Sequence, residues 1–181
     1  MENTKTITFG GGCFWCIESC FNKLKGVEKA ISGYSGGKTE HPTYKEVCTG
    51  ETHHAEVVQV VYNPDIISYD QLLDVFFFLH DPTQLNKQGN DIGTQYRSIV
   101  FYENDEEKNM VLNKISAINL SGNYKNKVVT EVVAFQKFWP AEEYHQGYYN
   151  ENPDQPYCSA VVGPKIKKFT EYFKAKGLIK E

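Results

Sequence analysis

The sequence predicts an α+β fold: a two-layer, ferredoxin-like α/β plait built from split βαβ units, with helices packed on one face of a mixed sheet. Three observations point there. Short apolar runs and helical periodicities alternate in the order β-α-β-β-α-β, followed by α-β, an irregular segment and a terminal helix. Several of the helical stretches carry start and stop signals in the expected places. No repeat, low-complexity tract or linker interrupts the 181 residues, so a single domain over 1–181 is expected.

Residues 6–9 read as a strand, and Gly10-Gly11-Gly12 as a sharp turn. A helix over 13–23 follows, with Phe14, Ile17, Phe21 and Leu24 at helical spacing. Residues 27–34 form a second extended segment, closed by Gly36-Gly37. Residues 54–62 form a third, whose valines on both faces imply burial on both sides. Ser68 as N-cap, Gln71 three residues on, and an Ile67–Leu72 staple start the next helix, which stops near His80 ahead of Pro82. A strand at 97–102 is followed by a helix that Asn104 and Glu107 cap and Gly122 ends. A strand at 128–134 comes next, and Pro164 and Gly177 bracket the last helix.

Composition excludes several classes of function. Hydrophobic residues make up 40% and aromatics 14%, enough for a sizeable core. The net charge of −4 and the lack of a basic run give no footprint for nucleic acid. The longest strongly apolar run, 75–79, is far too short to span a bilayer, and the first ten residues do not read as a signal peptide. A cytoplasmic protein is expected. Five cysteines, Cys13, Cys16, Cys20, Cys48 and Cys158, form an odd set that argues against a disulfide framework.

Three of these cysteines lie within eight residues of one another. The GGGCFWC segment, residues 10–16, places Cys13 at a helix N-terminus, where unpaired N–H groups and the positive dipole end favour a thiolate. A free thiol has a pKa of about 8.5, and lowering it to about 7 needs roughly 2 kcal/mol of charge stabilisation. Cys13 is therefore a candidate nucleophile. Cys16, one turn on, is within reach for a C-x-x-C disulfide, whereas Cys20 lies roughly 10 Å along the helix. Two other readings stay open on spacing alone. One is a zinc site completed by Cys20, Cys48, His53 and His54; the other is a set of buried structural thiols. Trp15 points away from the apolar stripe and is placed to line an opening beside Cys13.

GCFWC, GYSGG (33–37), PTYKEVCTG (42–50), HAEVVQVVYNP (54–64), HDPTQLNKQGNDIGTQYRS (80–98) and AEEYHQGYY (141–149) together closely resemble the A-type methionine sulfoxide reductases, in order along nearly the whole chain. The resemblance implies reduction of the S epimer of methionine sulfoxide, in peptides or as the free amino acid, as repair of oxidatively damaged proteins. It implies Cys13 as nucleophile, passing through a sulfenic acid, and Glu56 as the acid that protonates the sulfoxide oxygen. Tyr44 and Tyr96 would reach the same oxygen, Phe14 and Trp15 would hold the S-methyl group, and Asp91 would line the substrate site. An apolar setting for Glu56, on a strand face shared with Val58 and Val60, would keep its carboxyl protonated. The long aperiodic segment 81–96 also fits a functional loop. His145 is read as structural or as a partner for substrate carboxyl groups.

Recycling departs from the commoner family pattern, in which Gly stands at the position of Cys16 and C-terminal cysteines resolve the sulfenic acid. Here Cys16 is favoured as resolving residue, with Cys158 as the rival, and Cys20 and Cys48 are taken as structural thiols. Thioredoxin is the implied reductant, with NADPH drawn on indirectly; no bound cofactor and no metal are expected, and the chain is taken to be a monomer. A general disulfide oxidoreductase and a zinc-stabilised binding module are the alternative functions.

Overall fold

Strand β1 (Lys5–Gly10) lies inside a six-stranded sheet and is paired on both edges, so its apolar residues are sealed. On one edge it runs antiparallel to β3 (Ala55–Tyr62), with Ile7 opposite Val60 and Phe9 opposite Val58. On the other it is antiparallel to β6 (Ile99–Tyr102). Strand β2 (Val27–Ser35) pairs with the far edge of β3, setting Tyr34 opposite Glu56. Strand β7 (Glu131–Ala134) joins β6 in parallel, and β8 (Phe138–Pro140) joins β2 antiparallel, giving the order β7-β6-β1-β3-β2-β8. The computed structural model describes residues 3–180, so residues 1, 2 and 181 of the expected single unit lie outside the described residues. The architecture is a mixed α+β one.

Helices α1 (Phe14–Asn22), α3 (Tyr69–Leu79) and α6 (Gly163–Ala175) contribute the core on one face of this sheet. The two-residue period of β3 divides its side chains. Val58, Val60 and Tyr62 enter the helix-covered core, while Ala55 and Val57 join Ile99 and Phe101 in a smaller cluster on the other face. Both faces are thus buried, as the unbroken valines imply. Phe9 anchors the main core, stacked on Phe76 at 4.6 Å and tilted against Phe21 at 4.8 Å. Such ring pairs add about 0.5–1.5 kcal/mol each beyond area burial.

The cap signals act as expected. Ser68 and Gln71 form both bonds of a capping box on α3. Asn104 accepts from Glu107 N–H at 2.8 Å to start α4 (Asp105–Ser121), and Gly122 ends that helix at φ 75°. After α6 the Leu178 N–H closes on Phe173 C=O at 3.0 Å around Gly177.

The differences lie outside these elements. A short helix α2 (Tyr44–Cys48) lies between Gly37 and β3, where no element was expected, started by a capping box between Thr43 and Glu46 whose T-x-x-E signature the sequence carries. Segment 81–96 holds a small hairpin of β4 (Lys87–Gln88) and β5 (Asp91–Ile92). The strand expected from 128 begins at Glu131, because Val129 N–H is already taken by the Pro82 carbonyl at 2.8 Å. The segment expected to be irregular contains β8, a 3-10 turn at Glu143–His145, the short α5 (Tyr148–Glu151) and a π-helical turn at Cys158–Val162 that runs straight into α6. Pro164 stands in the first turn of α6, as expected, with the π-helical turn leading directly into it. Among the described residues no helix is long and apolar enough to cross a membrane.

Candidate active site

The glycine bend is required by close packing. A Cβ on Gly11 would meet the His80 ring at 2.7 Å, and Gly12 has φ 86° and donates its N–H to the Tyr96 carbonyl at 3.1 Å. The bend is thus clamped between the end of α3 and the turn carrying Tyr96. Cys13 then becomes the N-cap residue of α1, with extended backbone and no side-chain cap. The next N–H, that of Phe14, donates to Glu56 Oε1 at 3.2 Å. Nucleophile and carboxyl are held together through one backbone bond.

Cys13 is partly exposed, and its thiol is pushed well above the ordinary range. This reverses the expectation of a thiolate at a helix N-terminus. Burial contributes most, the Glu56 charge adds to it, and the hydrogen bond from the Trp15 N–H only partly offsets them; Cys16 and Asp91 push the same way. One ring of N–H donors does not outweigh desolvation plus two nearby carboxyl groups. Glu56 is itself 1% exposed, and burial lifts its pKa to about 8, against the lowering effect of the Phe14 N–H. At neutral pH this carboxyl is mostly protonated. Its second oxygen, Oε2, is buried with no hydrogen-bond partner among the described residues.

The other expected site residues gather around this pair. Tyr44 opens α2 and Tyr96 ends the 3-10 turn Thr94–Tyr96; both phenols are pushed up by burial and then by Glu56, so both remain hydroxyl donors. Asp91, on β5, accepts a hydrogen bond from the Tyr157 hydroxyl. Phe14 is fully buried, its ring 5.7 Å from Tyr34 and 5.2 Å from His145, so it backs the site. Trp15 is half-buried and stacks on Tyr148 at 3.9 Å and 13°.

Three contributors escaped the sequence reading. Glu142 accepts from Tyr34 Oη–H at 2.8 Å and from Tyr44 N–H at 2.9 Å, tying α2 to β2. Tyr148 and Tyr157 flank Trp15 from the C-terminal segment. All three lie in stretches without periodicity, and only the AEEYHQGYY match marked part of the region. His145 is 1% exposed and accepts the Trp15 indole N–H on Nδ1 at 3.0 Å. That bond places its proton on Nε2, which is buried and unpartnered among the described residues.

The five cysteines are all thiols. Cys16 lines a narrow cavity together with Cys13, Tyr157, Val161, Val162 and Lys165. Cys20 and Cys158 are fully buried, and Cys158 is not among the residues lining that cavity. Cys48 is exposed at the end of α2, so it is not a core filler, and it hydrogen-bonds Tyr44. The zinc alternative loses its ligands: no three His, Cys, Asp or Glu side chains among the described residues are grouped to hold a metal. His54 instead accepts the Gly37 N–H at 2.9 Å and pairs with Thr39 C=O at 2.7 Å.

Comparison with known proteins agrees with this geometry. The family model described as peptide methionine sulfoxide reductase matches residues 5–177. The chain is 55% identical over 165 residues to the peptide methionine sulfoxide reductase MsrA of Pasteurella multocida, covering 91% of this chain and 94% of that one. Among solved structures, Mxr1 of Saccharomyces cerevisiae in reduced form superposes with a TM-score of 0.77 at 36% identity, over 86% of this chain and 91% of that one. The same yeast protein in complex with Trx2 shares the fold with a TM-score of 0.55 at 24% identity, over 82% and 88% of the two chains.

Proposed function

The chain belongs to the peptide methionine sulfoxide reductase family and reduces methionine sulfoxide by thiol chemistry, and from that premise we propose that Cys13 and Glu56 carry the reaction. The observation that carries this assignment is the Glu56 carboxyl: protonated by burial, held on one oxygen by the N–H next to Cys13, and without a partner on the other among the described residues. The sulfoxide oxygen takes that second side, and Tyr44 and Tyr96 donate to it as well. Glu56 gives its proton to this oxygen and, as carboxylate, takes the Cys13 proton as the sulfur attacks. The sulfur–sulfur bond forms, Glu56 passes this second proton to the same oxygen, and the S–O bond breaks as the oxygen leaves as water. The hydroxyl of an incoming water then bonds Cys13, its remaining proton returns to the Glu56 carboxylate, and methionine departs, so methionine sulfur gains two electrons and Cys13 is left as sulfenic acid.

Phe14 and Trp15 receive the S-methyl group. Asp91, held by Tyr157, and His145 Nε2–H offer polar contacts to the rest of the substrate. Cys16, which shares the cavity with Cys13, resolves the sulfenic acid ahead of Cys158. Thioredoxin reopens the disulfide, with NADPH supplying it indirectly; the yeast protein solved with Trx2 supports that partner. The S epimer as substrate, a monomer, a cytoplasmic setting and one catalytic unit complete the proposal. The neighbour order β6-β1-β3-β2, antiparallel throughout, supports a split βαβ plait at the centre of the sheet.

The test is mass spectrometry after one equivalent of substrate. Cys13→Ser should release no methionine, even with dithiothreitol. Cys16→Ser should complete a single turnover but fail to cycle with thioredoxin. Normal cycling by Cys16→Ser, with loss in Cys158→Ser, would reassign the resolving residue.

A further inference from the structure

Cys13 and Cys16 share a cavity, yet their surroundings differ in kind. Around Cys13 stand Glu56 and Asp91. Around Cys16 stand Cys20, one helical turn further along α1, and Lys165, which reaches the cavity from α6. Cys20 stands four residues from Cys16 along the same face of α1 and is fully buried, with no part in the chemistry so far described. Among the described residues no carboxylate lies within ion-pair distance of Lys165, so its charge is not neutralised locally.

From this arrangement we propose that Cys20 and Lys165 are positioning residues for Cys16, holding its sulfur ready to close on oxidised Cys13. The idea rests on Cys16 being the resolving thiol. In the closing step the Cys16 sulfur bonds the Cys13 sulfur and the Cys13 S–O bond breaks. The departing hydroxide and the Cys16 proton form water; Cys16 is oxidised as Cys13 is reduced. Attack needs the anion, which a thiol donor on one side and an ammonium on the other both favour. The Cys16 thiol is accordingly pulled below the ordinary range, by the Cys20 thiol first and Lys165 after it, against its burial. The polar groups lining its cavity are Cys13 on α1, Tyr157 ahead of α6 and Lys165 on α6, with Cys20 one turn along its own helix; Leu79 from α3 is apolar. Behind Lys165 stand Asp81 and His80, whose pKa of about 4 leaves it neutral. Cys20 is sealed, so it is not itself a reductant-accessible disulfide partner.

The experiment loads the full chain with one equivalent of methionine sulfoxide across a pH series. It follows methionine release, trapping of Cys13 sulfenic acid by dimedone, and the disulfide by peptide mapping. Lys165→Met and Cys20→Ala should slow closure more than they slow methionine release, about tenfold at pH 7, and move the closure midpoint to higher pH by about one unit. Lys165→Arg and Cys20→Ser, which keep a cation and a donor, should restore it. A role in packing alone would move neither the midpoint nor its rescue. A Cys13–Cys16 disulfide that forms with an unmoved midpoint in both variants overturns this proposal and leaves Cys16 as the resolving thiol. A wild-type disulfide mapped to Cys158 overturns both.

Discussion

On one side of Cys13 stand groups carried by regular elements: Phe14 on α1, Glu56 on β3 and Tyr34 on β2. On the other stand groups carried by the chain between β8 and α6, with its short turns: His145, Tyr148 and Tyr157. The first wall is sealed and holds a protonated carboxyl. The second is layered aromatics, in which the Trp15 N–H donates to His145 and the Tyr157 hydroxyl donates outward to Asp91. Proton transfer needs a fixed, dry carboxyl, which sheet register and helix packing supply. Recognition needs a surface the substrate can reach, and the half-buried Tyr148 and Tyr157 of the second wall supply that, while His145 is itself sealed.

The largest effects should fall on the first wall. Cys13→Ser should abolish methionine release, with any residue of activity measurable by product assay marking a second nucleophile. Glu56→Gln should lower kcat about 10²- to 10⁴-fold, the range for a lost general acid. The wild-type first half-reaction should also fade as pH rises through about 8, where Glu56 ionises, and the Gln variant should lose that limb. Comparable losses of kcat from the second wall would break the division between the two.

Smaller effects sharpen it. Tyr157→Phe removes the hydroxyl that bonds Asp91 and should raise KM for a peptide sulfoxide about tenfold, with kcat changed little. Stability separates the walls again. Glu56 has its folded pKa raised from 4.5 to about 8, so its neutral burial is fully favourable below 4.5 and lost as pH rises through 8. The loss is on the order of 1.4 kcal/mol for each pH unit between. Thermal unfolding should find Glu56→Gln gaining on the wild type as pH goes from 5 to 8; a constant gap would contradict a buried neutral acid. Gly122→Ala, at φ 75° with open space around it, should cost only about 1 kcal/mol in denaturant unfolding and leave activity intact.

Legibility follows the same division. Glu56 was marked by the family resemblance, since a glutamate at a strand end by itself reads as solvated, and alternation then placed it with Val58 and Val60; the main helices were readable because caps and apolar stripes are local. Helix α2 was readable too, through Thr43 and Glu46, although it was not read. Tyr148, Tyr157 and Glu142 were not, because their partners lie 66 to 142 residues away in sequence or in stretches without a period.

Read alone, the amino-acid order determined the chain of elements, the glycine bend and a cysteine at the head of a helix, since these depend on neighbours within a turn or two. Tertiary structure decided the charge state of that cysteine. The N–H groups at the helix end are local, but the burial and the carboxyls of Glu56 and Asp91 that outweigh them come from β3 and a distant hairpin. Desolvation is a property of the assembled site, and no stretch of sequence carries it.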